Sequence, residues 1–261
     1  LQNISLFNIT QITRLLSFMK LQGQIAVITG GGTGIGLGIA HAFAQAGCTV
    51  VIAGRREEPL TLATAAWQGN GSLVHHCVDV SNRESVQALF AWVQSEVGEI
   101  DILVNSAGTN IPNRTLADME PDQWDSVMAI NASGAYYCMQ AAVPGMRSRG
   151  AGLVINISSI SGVRATALGG VAYSASKFAM AALGMAASNE VNVDGVRVTN
   201  IYPGEVNTPI LEKRPQAVTD EHKSRMLKPE DLGHLALSIA TLPANAHVPE
   251  VTIKPLSAEF S

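Results

Sequence analysis

The sequence predicts an α/β protein built on one doubly wound parallel β-sheet with helices on both faces, and three observations carry that prediction. Short apolar or β-branched runs alternate with longer segments of helical periodicity, the pattern of successive β-α-β units. Runs such as IAVIT are apolar at nearly every position, as strands covered on both faces must be. No internal repeat and no long Pro/Gly linker divides the chain, so residues 19–261 are expected to form a single domain.

Taken in order, strands are expected at 25–29, 49–54, 72–78, 102–106, 153–158 and 196–202, with helices over 35–46, 57–68, 83–97, 121–149 and 171–193. Residues 1–18 differ in texture from the rest of the chain and lack the small-residue cleavage site of a secretory signal. They are set apart as an N-terminal extension without an assigned role, Met19 being the expected start. After the sixth strand, residues 208–231 turn charge-rich and carry Pro209, Pro215 and Pro229. A segment in that place lies at the carboxyl edge of the sheet, where open α/β folds bind ligands, and is expected to act as a substrate lid. Its cations Lys213, Arg214, Lys223, Arg225 and Lys228 are interleaved with acids, which favours a solvated surface over an anion trap.

Composition narrows the function. Hydrophobic residues at 47% against 15% charged exclude disorder over most of the length. A net charge of −4 without clustered Lys and Arg argues against nucleic acid and for a small-molecule substrate. Cys48, Cys77 and Cys138 show no ligand spacing and are expected as buried thiols in a reducing, cytoplasmic setting. Adjacent His75 and His76 on a strand point to opposite faces, and no metal site is expected. No apolar run approaches the ~18 residues of a membrane span.

The chemistry concentrates in three places. The first strand runs into Gly30-Gly31-Gly32-Thr33-Gly34-Ile35-Gly36 and then a helix, the arrangement that lets a backbone approach a pyrophosphate at a helix N-terminus. The second strand ends in Arg55-Arg56 where an acid would favour NAD, so two guanidinium groups favour the additional phosphate of NADP(H) over NAD(H). Tyr173 and Lys177 stand four apart at the start of a helix and share a face. A cation beside a phenol is expected to lower its pKa and make Tyr173 a usable acid or base.

These motifs, together with Asp79-Val80, Asn105-Ser106-Ala107-Gly108, Asn131, Asn156-Ile157-Ser158-Ser159 and Pro203-Gly204 through Thr208, resemble the short-chain dehydrogenases/reductases in order and approximate spacing over residues 21–242. The resemblance implies a Rossmann-type sheet with NADP(H) across its carboxyl edge. It implies cofactor contacts from Gly30, Thr33, Gly34, Ile35, Gly36, Arg55 and Arg56, with Asp79 and Val80 flanking the adenine. Asn105, Ala107 and Gly108 would form the floor, and Pro203, Gly204, Val206 and Thr208 the closing side. Ser159 would hydrogen-bond the substrate oxygen, Tyr173 would exchange its proton, Lys177 would bind the nicotinamide ribose, and Asn131 would hold a water in the proton relay. A homodimer or homotetramer built on the helices around 131–146 and 178–191 is also implied.

The expected activity is an NADP(H)-dependent oxidoreductase acting on a carbonyl or alcohol carbon, a ketone or 3-oxoacyl reductase. An NAD-dependent alcohol dehydrogenase and a non-catalytic nucleotide sensor are the alternatives; a serine hydrolase lacks its GxSxG elbow here. The chain departs from the family pattern three times. Ser106 replaces an asparagine, Ser159 stands one residue further from Tyr173 than is usual, and the ending VPEVTIKPLSAEF lacks a Gly-rich aspartate motif. The spacing leaves Ser158 and Ser161 as alternatives to Ser159.

Overall fold

Seven parallel strands make one sheet in the computed structural model, which describes residues 20–258. They are β1 (Ile25–Thr29), β2 (Thr49–Gly54), β3 (Leu73–Cys77), β4 (Ile102–Asn105), β5 (Gly152–Ile157), β6 (Val196–Pro203) and β7 (Glu250–Ile253), in the spatial order β3-β2-β1-β4-β5-β6-β7. The order runs outward from β1 in both directions, so the loops leaving β1 and β4 part and open a crevice between them. All six expected strands are present within two residues of their expected ends. The expected N-terminal extension lies outside the described residues.

Eight α-helices are described: α1 (Gly34–Gln45), α2 (Glu57–Ala66), α3 (Arg83–Glu96), α4 (Pro121–Met128), α5 (Gly134–Arg149), α6 (Val171–Val191), α7 (Asp220–Arg225) and α8 (Pro229–Ala240). Strand alternation distributes the core between two layers. Ile28, Ile52, Val104 and Ile155 pack with Ile39 and Phe43 of α1, Leu60 of α2 and Leu232 of α8. Val27, Val51, Leu103 and Val154 pack on the other face with Leu89 of α3, Met146 of α5 and Val191 of α6. Full burial of each such aliphatic side chain contributes about 1.5–3 kcal/mol. Small residues bring α1 and α8 together: a Cβ on Gly38 would fall 2.4 Å from the Pro229 carbonyl oxygen.

Three expectations are corrected. The continuous helix over 121–149 contains a π-turn at Ala129–Ser133, where buried Asn131 turns its amide toward Thr109. Strand β7 and helix α8 were not expected. β7 is a four-residue edge strand with alternate positions exposed, too short and polar to stand out by its pattern. Cys77 is exposed at the end of β3, whereas Cys48 and Cys138 are buried, which pushes both thiols up to about 12. His75 meets Thr61 and Thr64 of α2, while His76 lies 4.7 Å from the Trp92 ring of α3, on the opposite face as strand geometry requires. Among the described residues no helix is long and apolar enough to cross a membrane, and no His/Cys/Asp/Glu group could hold a metal.

Candidate active site

The crevice is bound together at its base by Thr29. Its hydroxyl accepts the N–H groups of Ser106 and Ala107, both at 3.3 Å, and donates to the Val104 carbonyl. The turn after β1 then passes so close to the β4 loop that a Cβ on Gly30 would lie 2.8 Å from the Ala107 backbone. Gly30 also has a φ of +67°, and a Cβ on Gly36 would stand 2.4 Å from the Gly30 oxygen. Only glycine meets both demands at Gly30.

The N-cap of α1 is Thr33, whose side chain makes no capping bond, and Gly34 and Ile35 open the first turn. The helix therefore presents backbone N–H groups that no cap has satisfied, the usual partner of a phosphate. A dinucleotide phosphate fits these free N–H groups, and the close backbone contacts at Gly30 and Gly36 hold the turn that presents them.

Arg55 and Arg56 are exposed just beyond β2 and form no ion pair among the described residues, although Glu57 and Glu58 follow them. Asp79 accepts the Ser81 N–H and hydroxyl at 3.0 and 2.6 Å. Burial raises its pKa, but those bonds and the charge of Arg55 outweigh it and hold the carboxyl below its ordinary value. Val80 is buried against Gly134 at the start of α5.

On the β4 side, Asn105, Asn156 and Asn200 occupy matching register positions on three neighbouring strands. Asn105 Nδ2 donates to Asn156 Oδ1 at 2.9 Å, and Asn156 Nδ2 to Asn200 Oδ1 at 3.1 Å. Asn200 then donates to the Ala181 carbonyl of α6. Asn105 Oδ1 is buried without a partner among the described residues. Above this ladder, Asn131 Oδ1 accepts the Thr109 N–H at 2.7 Å, while its Nδ2 donates to the Thr109 carbonyl and the Ser176 hydroxyl. Ala107 and Gly108 lie between these two asparagine contacts, and a Cβ on Gly108 would be 3.6 Å from both Asn131 Oδ1 and Lys177 Nζ.

Tyr173 and Lys177 stand at the start of α6, with the ammonium 5.7 Å from the centre of the phenol ring. Lys177 is buried, and its Nζ donates to the Ile157 carbonyl at 2.8 Å. Burial lowers its pKa to about 8. The phenol itself goes the other way from the expectation. Burial raises the Tyr173 pKa, and what opposes the rise is the Ser159 side chain and the charge of Arg114.

Of the three serines, Ser159 is the one whose side chain meets the phenol. Its oxygen also accepts the Ser161 N–H at 3.1 Å. Ser158 is buried and donates to the Lys177 carbonyl, and Ser161 is buried beneath Gly169.

Pro203 ends β6, the Gly204 N–H donates to the Ile253 carbonyl at 2.7 Å, and Val206 pairs with Leu227 in an isolated parallel bridge. That bridge draws together the two ends of the segment 208–231. Glu205 secures it further, with one oxygen 2.6 Å from Arg214 and the other 2.8 Å from His222. Thr208 rests on the glycine turn, where a Cβ on Gly34 would lie 3.2 Å from its methyl carbon.

Arg114 was not foreseen. Its side chain donates to the main-chain carbonyls of Ile111, Leu168 and Lys213, so one guanidinium joins the loops on three sides of Tyr173. Thr109 was likewise missed as the partner of Asn131. Neither carries a motif, because both act through backbone atoms of segments remote in sequence.

This geometry defines a dehydrogenase site of the short-chain type. The short chain dehydrogenase family matches residues 24–219, and the chain belongs to that family of oxidoreductases. An uncharacterised oxidoreductase from Staphylococcus aureus is 36% identical over 237 residues, covering 90% of this chain and 99% of that protein. Among solved structures, the closed form of a serine dehydrogenase complexed with NADP+ is 29% identical with a TM-score of 0.82, over 91% of this chain and 97% of the other. A 3-ketoacyl-(acyl-carrier-protein) reductase from Brucella melitensis, complexed with NADH, is 25% identical with a TM-score of 0.81, over 90% and 98%.

Proposed function

We propose that the protein is an NADP(H)-dependent oxidoreductase that interconverts a carbonyl compound and its alcohol, in the class of ketone and 3-oxoacyl reductases. The observation that carries this reading is the convergence of Ser159, Arg114 and Lys177 on Tyr173, beside a glycine cradle at the carboxyl edge of the sheet. Polar groups so placed act on an oxygen that gains or loses charge, which is the demand of carbonyl reduction.

The dinucleotide, when bound, supplies or accepts the hydride. Ser159 donates a hydrogen bond to the substrate oxygen, and Tyr173 gives it a proton as negative charge develops; in the reverse direction the phenolate takes that proton back. Lys177 donates one of its three N–H bonds to Ile157, which leaves one for a ribose hydroxyl and one for a water. Asn131 Oδ1 retains a second lone pair after bonding Thr109, and with Lys177 Nζ it borders the space left by the missing side chain of Gly108. A water there would connect Lys177 to bulk solvent and complete the relay.

Selection of NADP(H) over NAD(H) rests on Arg55 and Arg56, two exposed guanidinium groups that form no ion pair among the described residues, where the adenosine ribose would lie. Residues 208–231 serve as the lid. The stripe Val171, Phe178 and Met185, exposed by 38%, 42% and 44% at seven-residue spacing on α6, is offered for self-association with Tyr136 of α5.

Titration of purified protein with NADPH and NADH, followed by nicotinamide fluorescence, tests the cofactor. NADPH is expected to bind tighter, and Arg55→Ala to weaken NADPH by about tenfold or more while leaving NADH unchanged. Equal losses would remove Arg55 as the basis of the choice between the two dinucleotides. Binding of neither, with no NADPH consumed on ketones, aldehydes, quinones or 3-oxoacyl thioesters, would end the enzyme reading.

A further inference from the structure

We propose that Lys213, at the start of the lid, is a phosphate ligand of the dinucleotide, its ammonium leaving Thr109 for a cofactor phosphate when the cleft is filled. The inference rests on the proposed binding of a dinucleotide and adds to it a residue from outside the glycine turn and the β2 end.

Its position carries the argument. Lys213 ends the 3-10 turn Pro209–Lys213, which begins against the cradle, where a Cβ on Gly34 would be 3.2 Å from Thr208 and 3.7 Å from Pro209. From there the side chain crosses to the opposite wall, and Nζ donates to Thr109 Oγ1 at 2.7 Å, one residue beyond Gly108. Lys213 therefore spans the crevice from the β6 loop to the β4 loop. Its backbone is fixed in place by Arg114, which donates to its carbonyl at 3.0 Å.

The ion pairs of the lid do not include it. Glu205 is taken by Arg214 and His222, Asp220 pairs with Lys223, and Glu221 pairs with Arg225. No carboxylate pairs with Lys213 among the described residues, and its hydrogen-bond partner is a neutral hydroxyl. The charges of Arg55 and Arg56, at the end of β2, reach it; burial first, then those two charges, hold its ammonium below the ordinary lysine value. Three cations whose charges reach one another are relieved together by an anion carrying several charges. The pyrophosphate common to both dinucleotides and the additional phosphate of NADP are the two groups of that kind. Exchange of a neutral hydroxyl for either turns the ammonium's bond to an uncharged oxygen into one between opposite charges.

The test compares wild type, Lys213→Met, Lys213→Arg and Thr109→Val by fluorescence titration with NADPH and with NADH at two salt concentrations. Lys213→Met is expected to weaken binding by about tenfold and to flatten its salt dependence, with recovery in Lys213→Arg. Thr109→Val, which keeps the main-chain bonds to Asn131 and removes the resting partner of the ammonium together with a 3.4 Å bond to the Asn110 carbonyl, is expected to bind at least as well as wild type. Losses on both dinucleotides identify the pyrophosphate, and a loss on NADPH alone identifies the additional phosphate. Unchanged binding in Lys213→Met overturns the inference, as does an equal loss in Thr109→Val, which would make the contact a structural pin. Wild-type protein that binds neither dinucleotide overturns the parent reading, and this one with it.

Discussion

At Tyr173, burial and charge pull in opposite directions. Burial favours the neutral phenol, while Ser159 and Arg114 favour the phenolate. Removing the guanidinium in Arg114→Met takes away one of the opposing influences, so the phenol pKa rises further. Alcohol oxidation needs the phenolate, and its alkaline rise is expected to move to higher pH in this variant; a pH profile of kcat/KM that stays where it was would contradict the role given to Arg114. Lys177 makes a second prediction. Its folded pKa of about 8 lies below its ordinary value of 10.5. Between those limits the unfolded chain holds a proton that the folded chain lacks, so stability rises with pH through the window and this contribution is level below about pH 8. The unfolding free energy of wild type relative to Lys177→Met should therefore grow by about 3 kcal/mol from pH 8 to 10.5, measured by urea unfolding. Tyr173 and Lys177 were legible in the sequence because one helix turn separates them. Arg114 was not, since its partners Leu168 and Lys213 lie 54 and 99 residues away and offer only main-chain oxygens. The direction of the phenol shift was also hidden, because spacing reports which residues are near and says nothing of how deeply they are buried.

The elements beneath the site are tied by the Asn105–Asn156–Asn200 ladder. Asn156 is its middle member, fully buried, and both halves of its amide are bonded. Asn156→Ala strands one donor on Asn105 and one acceptor on Asn200, each costing about 1–3 kcal/mol when left unsatisfied in the interior. A destabilisation of several kcal/mol by urea unfolding is expected; a loss below about 1 kcal/mol would mean that the ladder is not a stabilising network. The strands carrying it were legible as apolar, β-branched runs, and Asn105 and Asn156 stood within motifs. Asn200 did not, because only the register of β5 on β6 brings it opposite Asn156. The π-turn at Asn131 has the same character: its cause is the Thr109 backbone on another loop. β7 escaped notice because its four residues alternate between exposed and half-buried positions, with too little apolar contrast to mark a strand.

Across the whole molecule, the sheet separates two apolar layers and leaves its carboxyl edge to a crevice that Lys213 of the segment 208–231 spans to reach Thr109. Fold class was legible because alternation of strand and helix patterns extends over most of the chain, whereas the closure at Glu205, Arg214 and His222 depends on a loop folding back on itself. The exposed stripe on α6 bears on assembly. Under the proposed self-association, replacing Phe178 and Met185 together by lysine is expected to reduce the sedimentation coefficient to that of a single chain, and an unchanged coefficient would contradict a role for this face. The central claim, that Tyr173 exchanges the proton while a dinucleotide carries the hydride, is tested most directly by Tyr173→Phe, with NADPH affinity and substrate-dependent NADPH consumption measured on the same preparation. Turnover reduced by about 10²–10⁴-fold with NADPH affinity unchanged is the predicted result; turnover close to that of wild type would contradict it.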